Sequence, residues 1–318
     1  TCKRVKRGSF VGHRGVFLEL LKRMKSDRFI YLLLVLAMLF FAGAFYAGKV
    51  GIALISPAAL TFWRFIIAMF LLLPFALKQP RERFIPRVQD VPLFVMIGFV
   101  GIFMYHYLFF SALIDTSPVN ASVLGSFTPL LTSALAVVWL KEKLSGGRLI
   151  SLCVAFFGVL LALTGGNWRV LSEMRFNRGD LMMLAAVFFL AIYNVLSRKA
   201  LVRYTPLSVL FWAMVVSNVL VLPVFLWERP WDTFPWSSVP AWASVFYMGI
   251  FPSALGYLFY QMGIQKIGVT RCVPLFNIVP VFAMLLSLLF YGQQSLSLAQ
   301  VISSFIIIIA VYLNSRLA

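Results

Sequence analysis

"SPVNASVLGSFTPLLTSALAVVWLKEKL", Ser117 to Leu144, poses the problem this chain has to solve. A helical span needs about 17 to 25 predominantly apolar residues, and this stretch is long and apolar enough to supply one. Yet Pro129 stands near its middle, and Asn120, Ser122, Gly125, Ser126 and Thr128 occupy the half before it. It then stops at Lys141-Glu142-Lys143. The pattern returns 151 residues on as "GVTRCVPLFNIVPVFAMLLSLLFYGQQ", Gly268 to Gln294, where Pro129 falls on Pro280, Leu124 on Leu275, Leu135 on Leu286 and the upstream Gly98 on Gly249. At an offset of 149, "SPAALTFW" meets "TPLSVLFW", so that Pro57 pairs with Pro206, Trp63 with Trp212 and Lys49 with Arg198. At 152, Ser151 pairs with Ser303 and Val159 with Val311. Collinear matches with the prolines in register describe a duplication.

Composition says which solvent the duplicated unit occupies. Of 318 residues, 62% are hydrophobic and 12% charged, and the mean hydropathy is +0.94. No soluble fold of this size has an interior able to hide so much apolar surface. The formal charge of +18 would suit a nucleic-acid binder, but Lys and Arg gather between apolar blocks, so nucleic acid is excluded as a partner. Cys2, Cys153 and Cys272 are scattered without metal-ligand spacing, and neither a metal nor a cofactor is implied. No cleavable leader is expected, because the first long apolar run starts near Phe29.

The apolar runs predict an all-α integral membrane protein with ten transmembrane helices as two inverted five-helix repeats. The spans are Phe29–Gly51, Pro57–Leu77, Val91–Leu113, Pro118–Leu140 and Gly147–Gly165, then Gly179–Leu201, Pro206–Trp227, Pro240–Ile264, Val269–Tyr291 and Leu296–Leu313. Residues 1–28 form a basic tail, 29–165 the first repeat, 166–178 an outside linker and 179–318 the second repeat. Five is odd, so the second copy enters the membrane with opposite orientation. With the N-terminus in the cytoplasm, inside loops and the C-terminal tail hold 13 Lys and Arg, the basic tail nine more, and the outside ends five. That asymmetry places both termini in the cytoplasm, and a bacterial inner membrane is the expected location. The tail stretch "VFLELLKRMKSDR" reads either as an interfacial amphipathic helix on anionic lipid or as a basic leader that fixes topology.

Inverted repeats place a substrate site near the bilayer midplane, and rocking of one half against the other alternates access to it. Irregular backbone survives at that depth only where protein or a water-filled cavity receives it. Pro129 and Pro280 leave the carbonyls of Gly125 and Phe276 without their helical donors and can kink the helix. The fourth and ninth spans are therefore expected to line a cavity.

Several stretches resemble the EamA branch of the drug/metabolite transporter superfamily: "FFAGAFYAGKV…SPAALTFWRFIIAM", "FFSALIDTSPVNASVLGSFTPLLTSALAVVWLKEKLS" and "SLCVAFFGVLLAL", then "FFLAIYNVLSRKAL…TPLSVLFW". The likeness covers roughly Phe29 to Ser315. It implies ten helices in inverted repeats and transport, often export, of a small metabolite. Phe41 and Phe189 stand where such proteins often carry Trp, and Gly292-Gln293 where they often carry Gly-Glu.

All ten carboxylates lie in the tail, in loops or at helix ends, so a proton relay would have to use something else. His106, in "FMYHYLFF", is the histidine at membrane depth, and Tyr257 is its repeat mate. His106 either binds substrate or exchanges a proton, or is a neutral histidine bonded between helices. Tyr257, Tyr260 and Gln261 form a second polar cluster suited to a small organic molecule. Asn194, Asn120 and Asn277 are amides that hydrocarbon would leave unpaired, either site residues or interhelical glue. Arg64 is expected to pair with backbone carbonyls or reach toward head groups. Lys49 and Arg198 either gate anions or snorkel.

These features favour a secondary transporter of a small metabolite such as an amino acid, with that molecule and the bilayer as partners and a homodimer left open. An intramembrane enzyme would need a nucleophile–base pair or buried carboxylates, and a receptor or scaffold would usually carry a soluble domain. The charge asymmetry makes a direct prediction. In a cysteine-free background, cysteines placed in the Trp168–Arg178 loop should react with an impermeant thiol reagent from outside, and those in Gln79–Arg87 should not. The reverse labelling would overturn the orientation.

Overall fold

The computed structural model describes residues 27–142, 144–164, 166–167, 169, 177–291 and 298–317, and among them the chain is helical throughout. The first copy comprises α1 (Asp27–Ile52), α2 (Pro57–Ala76), α3 (Val91–Ile97, Gly98–Met104 and Tyr105–Asp115 in continuous succession), α4 (Pro118–Gly125 and Thr128–Leu140) and α5 (Gly146–Thr164). The second comprises α6 (Arg178–Ala200), α7 (Pro206–Trp227), α8 (Val239–Met248, Gly249–Gly256 and Tyr257–Ile267), α9 (Val269–Cys272, Val273–Ile278 and Val279–Tyr291) and α10 (Leu298–Arg316). Nine helices among the described residues are long and apolar enough to cross a membrane; the apolar stretch of α5, Gly146–Ala162, is shorter. In those nine, between 28% and 61% of the apolar window is buried inside the protein. The remaining apolar faces, with Phe70, Val138, Leu289 and Ile309 exposed on them, turn outward to where lipid would cover them.

Local chemistry sets the helix ends identically in both copies. Ser56 and Thr205 each cap the next helix by accepting a backbone N–H three residues on, and each is followed by proline in the first turn, where no N–H is missed. At the other end, Lys49 of α1 donates from Nζ to the carbonyls of Leu113, Ile114 and Thr116, where α3 stops. Arg198 of α6 does the same for α8, donating from Nη1 to the carbonyls of Ile264 (2.8 Å) and Gln265 (2.9 Å). Two cations expected either to gate anions or to snorkel instead satisfy the last carbonyls of a neighbouring helix, the end its dipole makes negative.

Two departures from regular helix also come in symmetric pairs. Gly98–Met104 in α3 and Gly249–Gly256 in α8 are wound as π-helix. The glycines opening them permit close contact: a Cβ on Gly98 would lie 2.5 Å from Val216 Cβ and 2.9 Å from the Ala213 carbonyl oxygen, and one on Gly249 2.8 Å from Ile67 Cβ and 2.9 Å from the Arg64 carbonyl oxygen. At matching places the fourth helix is broken and the ninth changes its winding without a break. α4 stops at Gly125, turns through Ser126 and Phe127, and restarts with Pro129 in its first turn. α9 tightens to a 3₁₀ stretch over Val273–Ile278 before the segment holding Pro280 begins at Val279. Proline costs little in a first turn, which is why the break falls just ahead of it.

The copies interlock. α3 packs on α6 and α7, and α8 packs on α1 and α2, each third helix thus lying against the first two helices of the other copy. α5 and α10 pair with one another. Because the glycine contacts at Gly98 and Gly249 reach backbone that cannot give way, Gly98→Ala and Gly249→Ala should each destabilise the protein by about 1–3 kcal/mol. Melting in detergent would show this, and an unchanged midpoint for both would remove the close approach as a constraint.

Candidate functional site

The interlocking brings the two third helices face to face. Tyr257 Oη lies 3.1 Å from His106 Nε2, and the two residues are 151 positions apart, the offset relating the copies. A residue touches its own symmetry mate only at the symmetry axis, so this hydrogen bond marks the axis. Each residue lies just past a π-helical segment, in the first turn of the helix that resumes there. One extra residue in a turn rotates everything downstream by about 100°, and this turns both side chains inward.

The histidine's other nitrogen settles its hydrogen bonding. Nδ1 lies 2.8 Å from the Ile102 carbonyl oxygen, which can only accept, so Nδ1 carries the hydrogen. Neutral imidazole then offers Nε2 as acceptor, and the Tyr257 hydroxyl donates to it. The ring is 3% exposed and packs edge-on to Phe65 and Tyr105. His106 is thus bonded on both sides within the protein.

A cavity adjoins the pair, lined by both copies. Four symmetry-related pairs stand in its lining: Phe41 with Leu190, Gly125 with Phe276, Thr128 with Val279 and His106 with Tyr257. Gly125 and Phe276 stand four residues before the two prolines, but the Phe276 carbonyl, expected to lose its donor, accepts the backbone N–H of Val279. The volume, about 40 Å³, holds about three water molecules.

Arg64 also lines this cavity. It is 1% exposed, and its guanidinium carbon lies 4.2 Å from the Phe65 ring centroid and 5.1 Å from that of Phe110. Nε and Nη2 have no hydrogen-bond partner. The expectation of carbonyl pairing or a reach toward head groups fails for these two nitrogens, because α2 turns the side chain into the protein, beneath aromatic rings. The ion pair among the described residues is Arg203–Asp90, 3.4 Å apart and remote from the cavity. In the sequence this position is signalled by a lone arginine inside an apolar run.

The other expected site residues lie elsewhere. Gln261 donates from Nε2 to Tyr193 Oη (2.5 Å) and Ser197 Oγ (3.2 Å), tying α8 to α6. Asn194 donates to Thr132 Oγ1 at 3.2 Å, tying α6 to α4. Tyr260 is fully buried edge-on against Phe276, its hydroxyl unpartnered. Asn277 is buried in the 3₁₀ stretch of α9 with Oδ1 unpartnered. None of these four lines the cavity. The side chain of Asn120 is outside the described residues.

A sequence model of the EamA-like transporter family matches residues 28–164 and again 177–316. The chain is 31% identical to the "Uncharacterized transporter YyaM" of Bacillus subtilis, over 89% of this chain and 92% of that protein. It is 27% identical to a "Probable terminal-alkyne amino-acid exporter" of Streptantibioticus cattleyicolor, over 87% of this chain and 90% of that one. A solved crystal structure at 21% identity shares the fold, with a TM-score of 0.71 over 92% of this chain and 98% of its own.

The axial hydrogen bond yields a prediction. Tyr257→Phe leaves His106 Nε2 a buried acceptor without a donor, at a cost of about 1–3 kcal/mol. The melting temperature in detergent should fall accordingly; no change would mean the bond contributes nothing to the fold.

Proposed function

The chain belongs to the EamA-like transporter family, and from that premise we propose that it is a secondary transporter, moving an amino acid or related small metabolite out of the cell by alternating access. The observation that carries this reading is the cavity on the axis between the copies, lined by helices of both. With five helices in each copy, the second is inverted in the membrane, so rocking of one half against the other exposes the same cavity to opposite sides in turn. Sites for small molecules run to about 300–1,000 Å³, against about 40 Å³ here. The helices must part to admit a substrate, and the break in α4 and the 3₁₀ stretch of α9 are where they can yield. Amino acids are preferred because a relative of this length and identity is named as an amino-acid exporter. Ten crossings, a bacterial inner membrane and cytoplasmic termini complete the reading.

Among the described residues the cavity lining contains no carboxylate, and both nitrogens of His106 are engaged. We take the transport to be facilitated by the substrate gradient alone. Wild-type proteoliposomes should exchange amino acids across equal pH and accumulate none when only a pH gradient is imposed. Uphill accumulation would refute the facilitated mode, and its loss in His106→Gln would then assign the coupling to that imidazole, which titrates between about pH 5 and 8 when unperturbed.

A further inference from the structure

We propose that Arg64 is the anchor for a substrate carboxylate, and that the transported molecule is a small acid or amino acid whose remainder is apolar or aromatic. This rests on the transporter reading above and names the substrate class of the same cavity.

The argument begins with cost. An ionised side chain in the interior of a membrane protein is expensive, and such residues pair with one another or with carbonyls, or face a water-filled path. Arg64 is 1% exposed, and among the described residues no carboxylate lines the cavity beside it. The rings of Phe65 and Phe110 take part of its charge through their faces, but rings leave the N–H groups at the guanidinium edge unsatisfied.

Which nitrogens are free decides the ligand. The unpartnered atoms are Nε and Nη2. These two share one edge of the planar guanidinium and point their N–H bonds in parallel, the arrangement that a carboxylate meets with both oxygens at once. A phosphate ester, with more charge and more acceptor oxygens, would ask for further donors, and no second Lys or Arg lines the cavity. Much of the remaining wall is apolar, with Phe41, Phe45, Phe109, Phe276, Met183 and Leu190 in it, which suits an apolar or aromatic body. The Thr128 hydroxyl, which lines the cavity and has no hydrogen-bond partner among the described residues, would receive an ammonium group where the ligand has one. A carboxylate is therefore required, and an ammonium tolerated.

The test uses purified full-length protein and three probes sharing one ring: L-phenylalanine, 3-phenylpropionate and phenethylamine. Both acids should raise the melting temperature of the wild type, and the amine should not. Arg64→Gln should weaken stabilisation by the acids at least tenfold, and Arg64→Lys, which keeps the charge but loses the two-pronged edge, should fall between. The wild-type comparison needs no variant, so it stands even if Arg64→Gln fails to fold. Stabilisation by the amine equal to that by the acids, or by chloride alone at matched ionic strength, or by none of the probes, would overturn the proposal. So would unchanged acid binding in a folded Arg64→Gln. Efflux from proteoliposomes of a mixed panel of acids, amino acids and amines separates the two levels. Efflux of compounds lacking a carboxylate, equal in wild type and Arg64→Gln, sinks the anchor and leaves the transporter standing, whereas no efflux of any compound sinks the transporter reading itself.

Discussion

Hydrocarbon offers no hydrogen-bond partner to a peptide group, and this constraint organises the molecule more than any single contact. Each place where backbone departs from regular α-helix needs a local donor or acceptor, or an aqueous space, at a cost of several kcal/mol if it has none. The ends of α3 and α8 show the first solution. Cationic side chains on neighbouring helices, Lys49 and Arg198, reach across to the final carbonyls. The π-helical turns show the second. The Ile102 carbonyl, inside one of them, receives the Nδ1–H of His106. At the break in α4 and the 3₁₀ stretch of α9 the solution is a tighter backbone bond: Val123 and Leu124 accept the N–H groups of Ser126 and Phe127, and the Phe276 carbonyl accepts that of Val279.

These irregularities are not scattered. π-helical turns, the break in α4, the 3₁₀ stretch of α9 and the His106–Tyr257 bond all lie around the axis between the copies, while α5 and α10, which pair at a distance from the cavity, are regular. A regular helix moves as a rod. A broken one lets its halves tilt separately with few hydrogen bonds exchanged, which is what rocking motions in a transporter require. The fold concentrates its compliance at the place where the substrate is proposed to sit.

Much of this was legible in the sequence, and the parts that were not share a cause. Span lengths, the duplication and the registers of Pro129 with Pro280 and of Lys49 with Arg198 are one-dimensional facts, readable from spacing alone. That Pro129 stands in a first turn rather than inside a kinked helix depends on where the helix chooses to restart, which spacing does not tell. His106 and Tyr257 could be matched as repeat mates, but their contact requires the axis to pass between them. Asn194 is an amide that hydrocarbon would leave unpaired and Gln261 a member of a polar cluster, yet nothing in the sequence says whether such a side chain meets a neighbouring hydroxyl or a cavity. Arg64 was the hardest case. Arginine commonly snorkels, and the direction of its side chain depends on how α2 packs, with α7 and α8 covering it.

Duplication also explains why the chemistry sits where it does. Two copies of one scaffold furnish equivalent positions on either side of the axis, and an exchange between outward and inward forms is easiest when the scaffold is nearly symmetric. A substrate is not symmetric, so recognition has to come from positions where the copies have diverged. The mate of Arg64 is Ala213, that of Asn194 is Phe45 and that of Gln261 is Phe110. Helix caps, π-helical turns and prolines are kept in both copies, whereas the buried charge stands in one. On the proposed alternating-access reading, the retained pairs build the part that moves. Arg64, whose mate Ala213 is uncharged, gives the cavity the polarity by which a carboxylate is proposed to be held.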